Sequence, residues 1–376
     1  MVFLEDVETP CVVVDHERLL ANIRLIQDKA DANWLKLCPH VKTHKSLEIA
    51  RLQMDVGAKG VTASKTDEAL VFMAAGVPLI TCAYPIISRT KLDRLFAGAR
   101  EYGPELRLIA DSAVGIDALA QAAARNEITP EVFLKIDVGL HRCGVRENDP
   151  ALVRLARHIV DAPELEFAGL LSHAGQSYGA VDSEGVREIA REECAIMNRV
   201  RETLEKNGIE VLEVSVGSTP TVLAAEDFDG ITEIRPGNYV FMDLASLRLG
   251  LIEKRQVALS VLSSVVSVNP DYFIIDAGSK TLSSDLGAHG AGQGKGFGLA
   301  FALQEDAEQR EGMTVVKLSE EHGFLERAGH SLAVGDRLRI IPNHACAVVN
   351  LTDSLTILGP KGPPLIWPVA ARGRVR

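Results

Sequence analysis

Short apolar runs of strand type alternate along the chain with segments whose apolar residues recur at helical spacing, and the alternation persists to about residue 245. PCVVVD (10–15) predicts a buried strand, with Asp15 as the N-cap of a helix that carries Leu19, Leu20, Ile23 and Ile26 on one face. A second strand begins near Leu35 and breaks at Pro39. Helices are predicted over 45–56, 66–75, 89–100, 113–125 and 149–160, separated by strands at 60–63, 78–84, 106–111, 132–137 and 167–173. The long helix from Ser183 to Lys206, closed by Asn207-Gly208, leads to a strand at 211–217. About eight strand-helix units between 33 and 245 predict a closed (β/α)8 TIM-like barrel, which typically needs ~250 residues. An open doubly wound sheet is the alternative, but no G-x-G-x-x-G follows the first strand.

The period changes after about Met242. From Val257 the chain reads as short alternating strands with turns (VALSVLSSVVSV, Asn269-Pro270, YFIIDAG, DRLRIIPNHACAVVNL), and no amphipathic helix is predicted among them. The domain plan is a barrel over 16–245 and a second, mostly β domain over 246–376, joined by the N-terminal strand of 1–15. Six glycines lie between Leu286 and Leu299. Their spacing matches no Walker-type loop and no Gly-Lys-Ser/Thr follows, so a flexible loop is predicted there.

With 376 residues, 47% of them hydrophobic, the chain can bury a core in each of two domains. A formal charge of -11 opposes nucleic acid or an anionic membrane as the main partner, since both need clustered Lys and Arg. No segment approaches the ~20 uninterrupted apolar residues that span a bilayer. The start MVFLEDVETP carries acids by residue 5 instead of a basic then apolar signal, so a cytoplasmic location is expected. The cysteines (Cys11, Cys38, Cys82, Cys143, Cys194, Cys346) form no tight framework, and apart from Cys346 they read as small buried hydrophobes.

Candidate chemistry collects where barrel strands end. LKLCPHVKTHK (35–45) places His40, Lys42, His44 and Lys45 just past a strand's carboxyl end, where barrels do chemistry. A lysine there, near other cations and shielded by apolar residues, can act as a nucleophile toward a carbonyl. By itself the stretch reads equally as two solvated lysines opening a helix. Three more polar clusters follow strands: DVGLHRCG (137–144), HAGQSY (173–178) and Gly217-Ser218-Thr219. The last is an ordinary N-cap turn on its own, but its backbone N–H groups and hydroxyls also suit a phosphate monoester. A Schiff-base lysine and a phosphate cup on one barrel mouth point to pyridoxal phosphate. His344-Ala345-Cys346, read as extended chain, puts an imidazole and a thiol on one face, which suits either a buried pair or half of a zinc shell.

The chain resembles the fold-type III pyridoxal-phosphate enzymes of the alanine-racemase group, in the branch of D-serine dehydratase, D-threo-3-hydroxyaspartate dehydratase and D-threonine aldolase. The motifs that carry the resemblance are ThrPro (9–10), PHVKTHK (39–45), DVGLHRCG (137–144), SHAGQSY (172–178), VGSTPT (216–221), EIRPGNYVFMD (233–243), IIDAGSKTLSSD (274–285), EEHG (320–323) and PNHACAVVNL (342–351). The resemblance implies that Lys42 bonds the cofactor, Arg142 meets its phenolate oxygen and His173 lies against its ring. Tyr178 would reach the ring nitrogen, and Gly217, Ser218, Thr219, Gly237 and Asn238 would hold the phosphate. His344 and Cys346 would bind a divalent metal; the thiolate favours zinc, whereas the aldolase side of the branch carries a carboxylate at that position. A homodimer acting on a small D-amino acid is also implied. Dehydration of a D-3-hydroxy amino acid to a 2-oxo acid and ammonia is the expected reaction, on Cys346, LSSD and EEHG, with retro-aldol cleavage as the alternative. A racemase would need an opposing tyrosine, and the β-domain offers only Tyr272; a non-enzymatic cofactor carrier would lack the β-domain. Thr281, Asp285 and His322 are further candidates for the substrate pocket.

Overall fold

The computed structural model describes residues 4, 7–287, 296–303, 311–327 and 329–376, so the centre of the glycine-rich stretch, 288–295, lies outside the described residues. After a first strand, β1 (Cys11–Asp15), come eight parallel strands: β2 (Lys36–Leu37), β3 (Val61–Ala63), β4 (Leu79–Cys82), β5 (Glu105–Ala110), β6 (Glu131–Lys135), β7 (Glu166–Leu171), β8 (Glu213–Val216) and β9 (Glu233–Ile234). They pair in the order β2-β9-β8-β7-β6-β5-β4-β3. The ring is completed between its two ends by a parallel bridge from His40 to Thr62, with Lys59 and Thr62 donating to the Leu37 and Pro39 carbonyls at 2.9 and 2.8 Å. Helices follow the strands as the 3.6-residue period requires; the longest, Ser183–Lys206, is capped by Asp182, whose side chain accepts from Gly185 N at 3.0 Å.

Alternation along the strands sorts the barrel interior into levels. Arg107, 4% exposed, closes the amino-terminal end by pairing with Glu105, Glu131, Glu213 and Glu233 at 2.8–3.2 Å. Ile109, Phe133, Ala168 and Leu171 form an apolar plug. Two residues beyond Phe133, Lys135 reaches the opposite end. The steps Glu213-Ser215-Gly217 and Glu233-Arg235-Gly237 climb in the same way from the salt cluster to the other mouth. The amino-terminal end of the barrel interior is therefore shut by charge pairing, and the carboxyl end is the one that opens to a cavity lined by these climbing residues.

β1 belongs to a second sheet, completed by β10 (Leu259–Val268), β11 (Tyr272–Ile275), β12 (Gly298–Ala302), β13 (Met313–Leu318), β14 (Gly323–Glu326), β15 (Arg337–Pro342), β16 (Ser354–Leu358) and β17 (Leu365–Pro368). Its order is β11-β14-β13-β12-β15-β10-β1-β16-β17, with β11 also pairing β10. β1 runs antiparallel to β10 and parallel to β16. The expectation that strands run uninterrupted to Leu351 is corrected: Ala345–Leu351 is a helix. An apolar run such as ACAVVNL does not distinguish a short helix from a buried strand by periodicity. The tail beyond β17 returns to the barrel, where Ala371 N donates to Lys45 O and Asp67 N to Arg376 O, both at 3.0 Å.

Candidate active site

All eleven residues singled out for cofactor and metal line one cavity at the carboxyl end of the barrel: Lys42, Arg142, His173, Tyr178, Gly217, Ser218, Thr219, Gly237, Asn238, His344 and Cys346. Its empty space, open mouth included, is about 780 Å³. Thr281, Asp285 and His322 do not line it, and Asp285 and His322 are exposed.

The two lysines of PHVKTHK have different fates. Pro39 ends β2, and a single 3-10 turn over Val41–Thr43 turns Lys42 into the cavity. Lys45, at φ 51, points away to a buried ion pair with Glu68 at 3.3 Å, and Glu68 also accepts from Ser64 N and Oγ at 2.6 and 2.9 Å. Glu68→Gln should therefore leave a buried unpaired ammonium and destabilise the fold by about 3–5 kcal/mol, as urea unfolding would read. His44 is also outside the cavity, packed edge-on against Phe72, and burial pushes its imidazole down to about 3.

Burial lowers the Lys42 ammonium from the ordinary lysine range; Cys346 opposes that shift and Arg142 adds to it. His40 accepts from Lys42 N at 3.4 Å and is held neutral by burial and by Lys42, Arg235 and Arg142. In the DVGLHRCG turn, Asp137 accepts from Gly139 N, His141 N and His141 Nδ1 at 2.8–3.1 Å, which fixes the loop carrying Arg142. Gly144, at φ +115, closes that turn where a Cβ would lie 2.6 Å from Asp137 N, so no larger residue fits. His173 Nδ1 lies 3.4 Å from Gly217 O. Tyr178 sits on the turn Gly175–Gly179, and burial, with Asp243 and Cys346 nearby, keeps its phenol protonated.

Gly217-Ser218-Thr219 is less free than its sequence suggests. Ser218 and Thr221 form a capping box that takes up the Ser218 N–H at 3.0 Å, and Tyr239 N donates to Thr219 Oγ1 at 3.1 Å. Gly237 matters for a different reason. A Cβ there would lie 2.9 Å from His40 O and 3.0 Å from Thr43 Oγ1, so its absence lets the two loops meet.

The metal pair is built at a strand-helix junction, which corrects the extended-chain reading. His344 is the extended N-cap residue and Cys346 the second residue of the helix Ala345–Leu351. Cys346 Sγ lies 3.1 Å from Thr43 Oγ1. Burial alone would raise the Cys346 thiol, but His344, Lys42 and Thr43 lower it overall. For His344 burial works downward, and Cys346 and Asp243 outweigh it and raise the imidazole well above its usual value. Each member of the pair thus favours the charged form of the other.

Two cations of the cavity, Lys135 and Arg235, were not singled out from the sequence, although a lysine inside the apolar run VFLKID is a legible signal. Arg235 is 5% exposed and donates to Ser215 Oγ and the Ser172 carbonyl. Lys135 donates to Ile136 O and Leu171 O at 3.0 and 3.5 Å, and burial pushes it down to about 8. A Lys135→Met apoprotein should be more stable than wild type at pH 7 by about 1–2 kcal/mol, the relief of a buried charge less two hydrogen bonds. Native Lys135 loses its proton near pH 8 and the unfolded side chain near 10.5, so wild-type stability rises across that window and the advantage of the variant disappears. Urea unfolding at pH 7 and pH 10 checks both.

The family model for the alanine racemase N-terminal domain matches residues 14–245, and that for a putative serine dehydratase domain matches 258–358. D-threo-3-hydroxyaspartate dehydratase of Delftia sp. (strain HT23) is 36% identical, over 96% of this chain and 96% of its own. D-threonine aldolase of Arthrobacter sp is 30% identical, over 98% of this chain and 94% of its own. A solved structure of a cysteine-to-alanine mutant of D-threo-3-hydroxyaspartate dehydratase, in the metal-free form, matches with a TM-score of 0.89 at 35% identity, covering 96% of this chain and 97% of that one. A cavity lined by Lys42 at the carboxyl end of the barrel, a barrel joined to a serine-dehydratase-type domain, and these matches along the whole chain lead to one assignment: the chain belongs to the fold-type III pyridoxal-phosphate enzymes and is a lyase.

Proposed function

We propose that this protein is a pyridoxal-phosphate- and zinc-dependent dehydratase of D-3-hydroxy amino acids, converting them to a 2-oxo acid and ammonia. The observation that carries this reading is the placement of Lys42 and the His344–Cys346 pair in the same cavity. The residues present fit both groups. The cavity is lined by Lys42, Lys135, Arg142 and Arg235 and, among the described residues, by no Asp or Glu, which suits a phosphate dianion and a substrate carboxylate. A thiolate beside an imidazole suits zinc, and with no cluster of three or more His, Cys, Asp or Glu among the described residues, water or substrate would fill the other positions.

When bound, pyridoxal phosphate supplies a sink for the electrons of the bond broken at Cα, and the metal supplies a Lewis acid for the 3-hydroxyl. Lys42 would hold the cofactor and, once displaced by the substrate amine, take the Cα proton; its lowered affinity for protons leaves more free amine near neutral pH. Arg142, His173 and Tyr178 would orient the ring, and Gly217, Ser218, Thr219, Gly237 and Asn238 would hold the phosphate end. His344 and Cys346 would place the 3-hydroxyl for departure.

Tyr84, Ile87, Val114 and Val181, between 43% and 85% exposed, lie just beyond the carboxyl ends of barrel strands, Val114 in the first turn of the helix Ala113–Asn126 and the others on loops. These side chains support a homodimer in which a second copy covers the mouth.

The identity to D-threonine aldolase favours a second reading, cleavage of Cα–Cβ to glycine and an aldehyde. Incubation of the purified protein with pyridoxal phosphate, zinc and D-threonine separates them. 2-Oxobutyrate with ammonia is the expected result, after which D-serine and D-threo-3-hydroxyaspartate would be ranked as substrates. Glycine with acetaldehyde would establish the aldolase.

A further inference from the structure

Asp243 stands outside the lining of the cavity yet holds two of its walls together. It is 0% exposed, and its Oδ2 accepts three hydrogen bonds: from Asn238 Nδ2 at 2.7 Å, His344 Nδ1 at 3.1 Å and Ala345 N at 3.0 Å. Its Oδ1 accepts from Ala245 N at 3.1 Å, which anchors the carboxylate to the start of the next helix. Asn238 is 2% exposed and belongs to the loop whose Tyr239 N donates to Thr219 Oγ1 at 3.1 Å. A continuous set of hydrogen bonds therefore runs from Thr219, through the 238–239 loop and one carboxylate, to the backbone and imidazole of the His344 arm.

Two consequences follow from donor and acceptor chemistry. With Nδ1 donating to Asp243, His344 is left with Nε2 as its one metal-binding nitrogen, and the carboxylate makes that nitrogen a stronger donor. The oxygen that fixes the ring also fixes the Asn238 amide, so a shift of the His344 arm on metal binding must be accommodated at the loop beside Thr219. Neither end can move independently while all three bonds to one buried oxygen are kept.

We propose that Asp243 is a positioning residue that couples the two cofactor sites, so that zinc at His344–Cys346 and pyridoxal phosphate at the Thr219–Asn238 wall each tighten the binding of the other. This rests on the cofactor assignment above but needs no substrate and no particular reaction. By linkage, the factor by which zinc improves pyridoxal phosphate affinity must equal the factor by which pyridoxal phosphate improves zinc affinity, and couplings of this kind are commonly about 5- to 150-fold.

The test measures both affinities with the full chain. Zinc is titrated against a chromophoric chelator with and without pyridoxal phosphate, and pyridoxal phosphate is titrated into the zinc-free and zinc-loaded apoenzyme by absorbance. Wild type should show equal and reciprocal tightening. Asp243→Asn, which cannot accept from the three donors as the carboxylate does, should weaken zinc by about 10- to 100-fold and bring the coupling factor to one. Asn238→Ala keeps both metal ligands and Asp243; it should keep most zinc affinity but lose the coupling, and it serves if D243N does not fold. Thr43→Val removes the hydroxyl that meets this arm at Cys346, and should leave the coupling in place. Zinc affinity unchanged in D243N, or coupling that persists in N238A and vanishes in T43V, would overturn the inference while leaving the cofactor assignment standing. A wild-type protein that binds no zinc would overturn both. Failure on every D-amino acid with coupling intact would overturn only the proposed reaction.

Discussion

Lys42→Ala is expected to abolish covalent capture of pyridoxal phosphate and to lower turnover by at least about 10⁴-fold, because one side chain serves as both tether and base. Borohydride reduction followed by peptide mass analysis should place the cofactor on Lys42 in wild type and find no labelled peptide in the variant. The same substitution should leave the protein no less stable in urea. A buried ammonium whose proton affinity is lowered by desolvation disfavours the native state, so its removal compensates for the packing that the aliphatic stem of Lys42 provides. Labelling at Lys45 instead would contradict the geometry, since that ammonium is committed to Glu68.

Cys346→Ala is expected to remove bound zinc and to lower dehydration by about 10²- to 10³-fold, the scale of a lost Lewis acid at a leaving hydroxyl. Pyridoxal phosphate should still bond to Lys42, which separates this loss from a collapse of the cavity. Chelation of wild type should reproduce the variant, and added zinc should restore wild type but not C346A. Full activity in C346A, or in metal-free wild type, would remove the metal from the reaction. A smaller expectation concerns Cys346→Asp: an oxygen donor should shift the preferred ion toward manganese or magnesium.

These effects were legible to different depths in the sequence. Local patterns set out most of the barrel, because an apolar run of strand length and a 3.6-residue stripe are each decided by neighbours a few positions away. The helix Ser183–Lys206, with Asn207 at its C-cap and Gly208 at φ +73, was readable to its end for that reason. The motifs PHVKTHK, DVGLHRCG and GST also stood at strand ends, where barrel chemistry sits. The pattern Glu131-Phe133-Lys135 could have shown that one face of β6 crosses from a charge cluster through apolar packing to a ligand-facing lysine.

Tertiary structure decided what depends on groups far apart in the chain. PHVKTHK offers two lysines of equal local merit, and only the fold shows that Lys42 lines the cavity while Glu68, from a separate helix, pairs Lys45. The helix at Ala345–Leu351 overrode a strand-like composition and set His344 against Asp243, 101 residues away. The motif ending at Asp243 does not reveal its role, because, of its four donors, Asn238 and Ala245 lie nearby in the chain but His344 Nδ1 and Ala345 N come from the start of a helix in the other domain. The sequence by itself determined which chemical groups are available and the elements that carry them. Their protonation, pairing and mutual distance were decided only when folding buried them, since burial removes water as the competing partner for every charge and hydrogen bond.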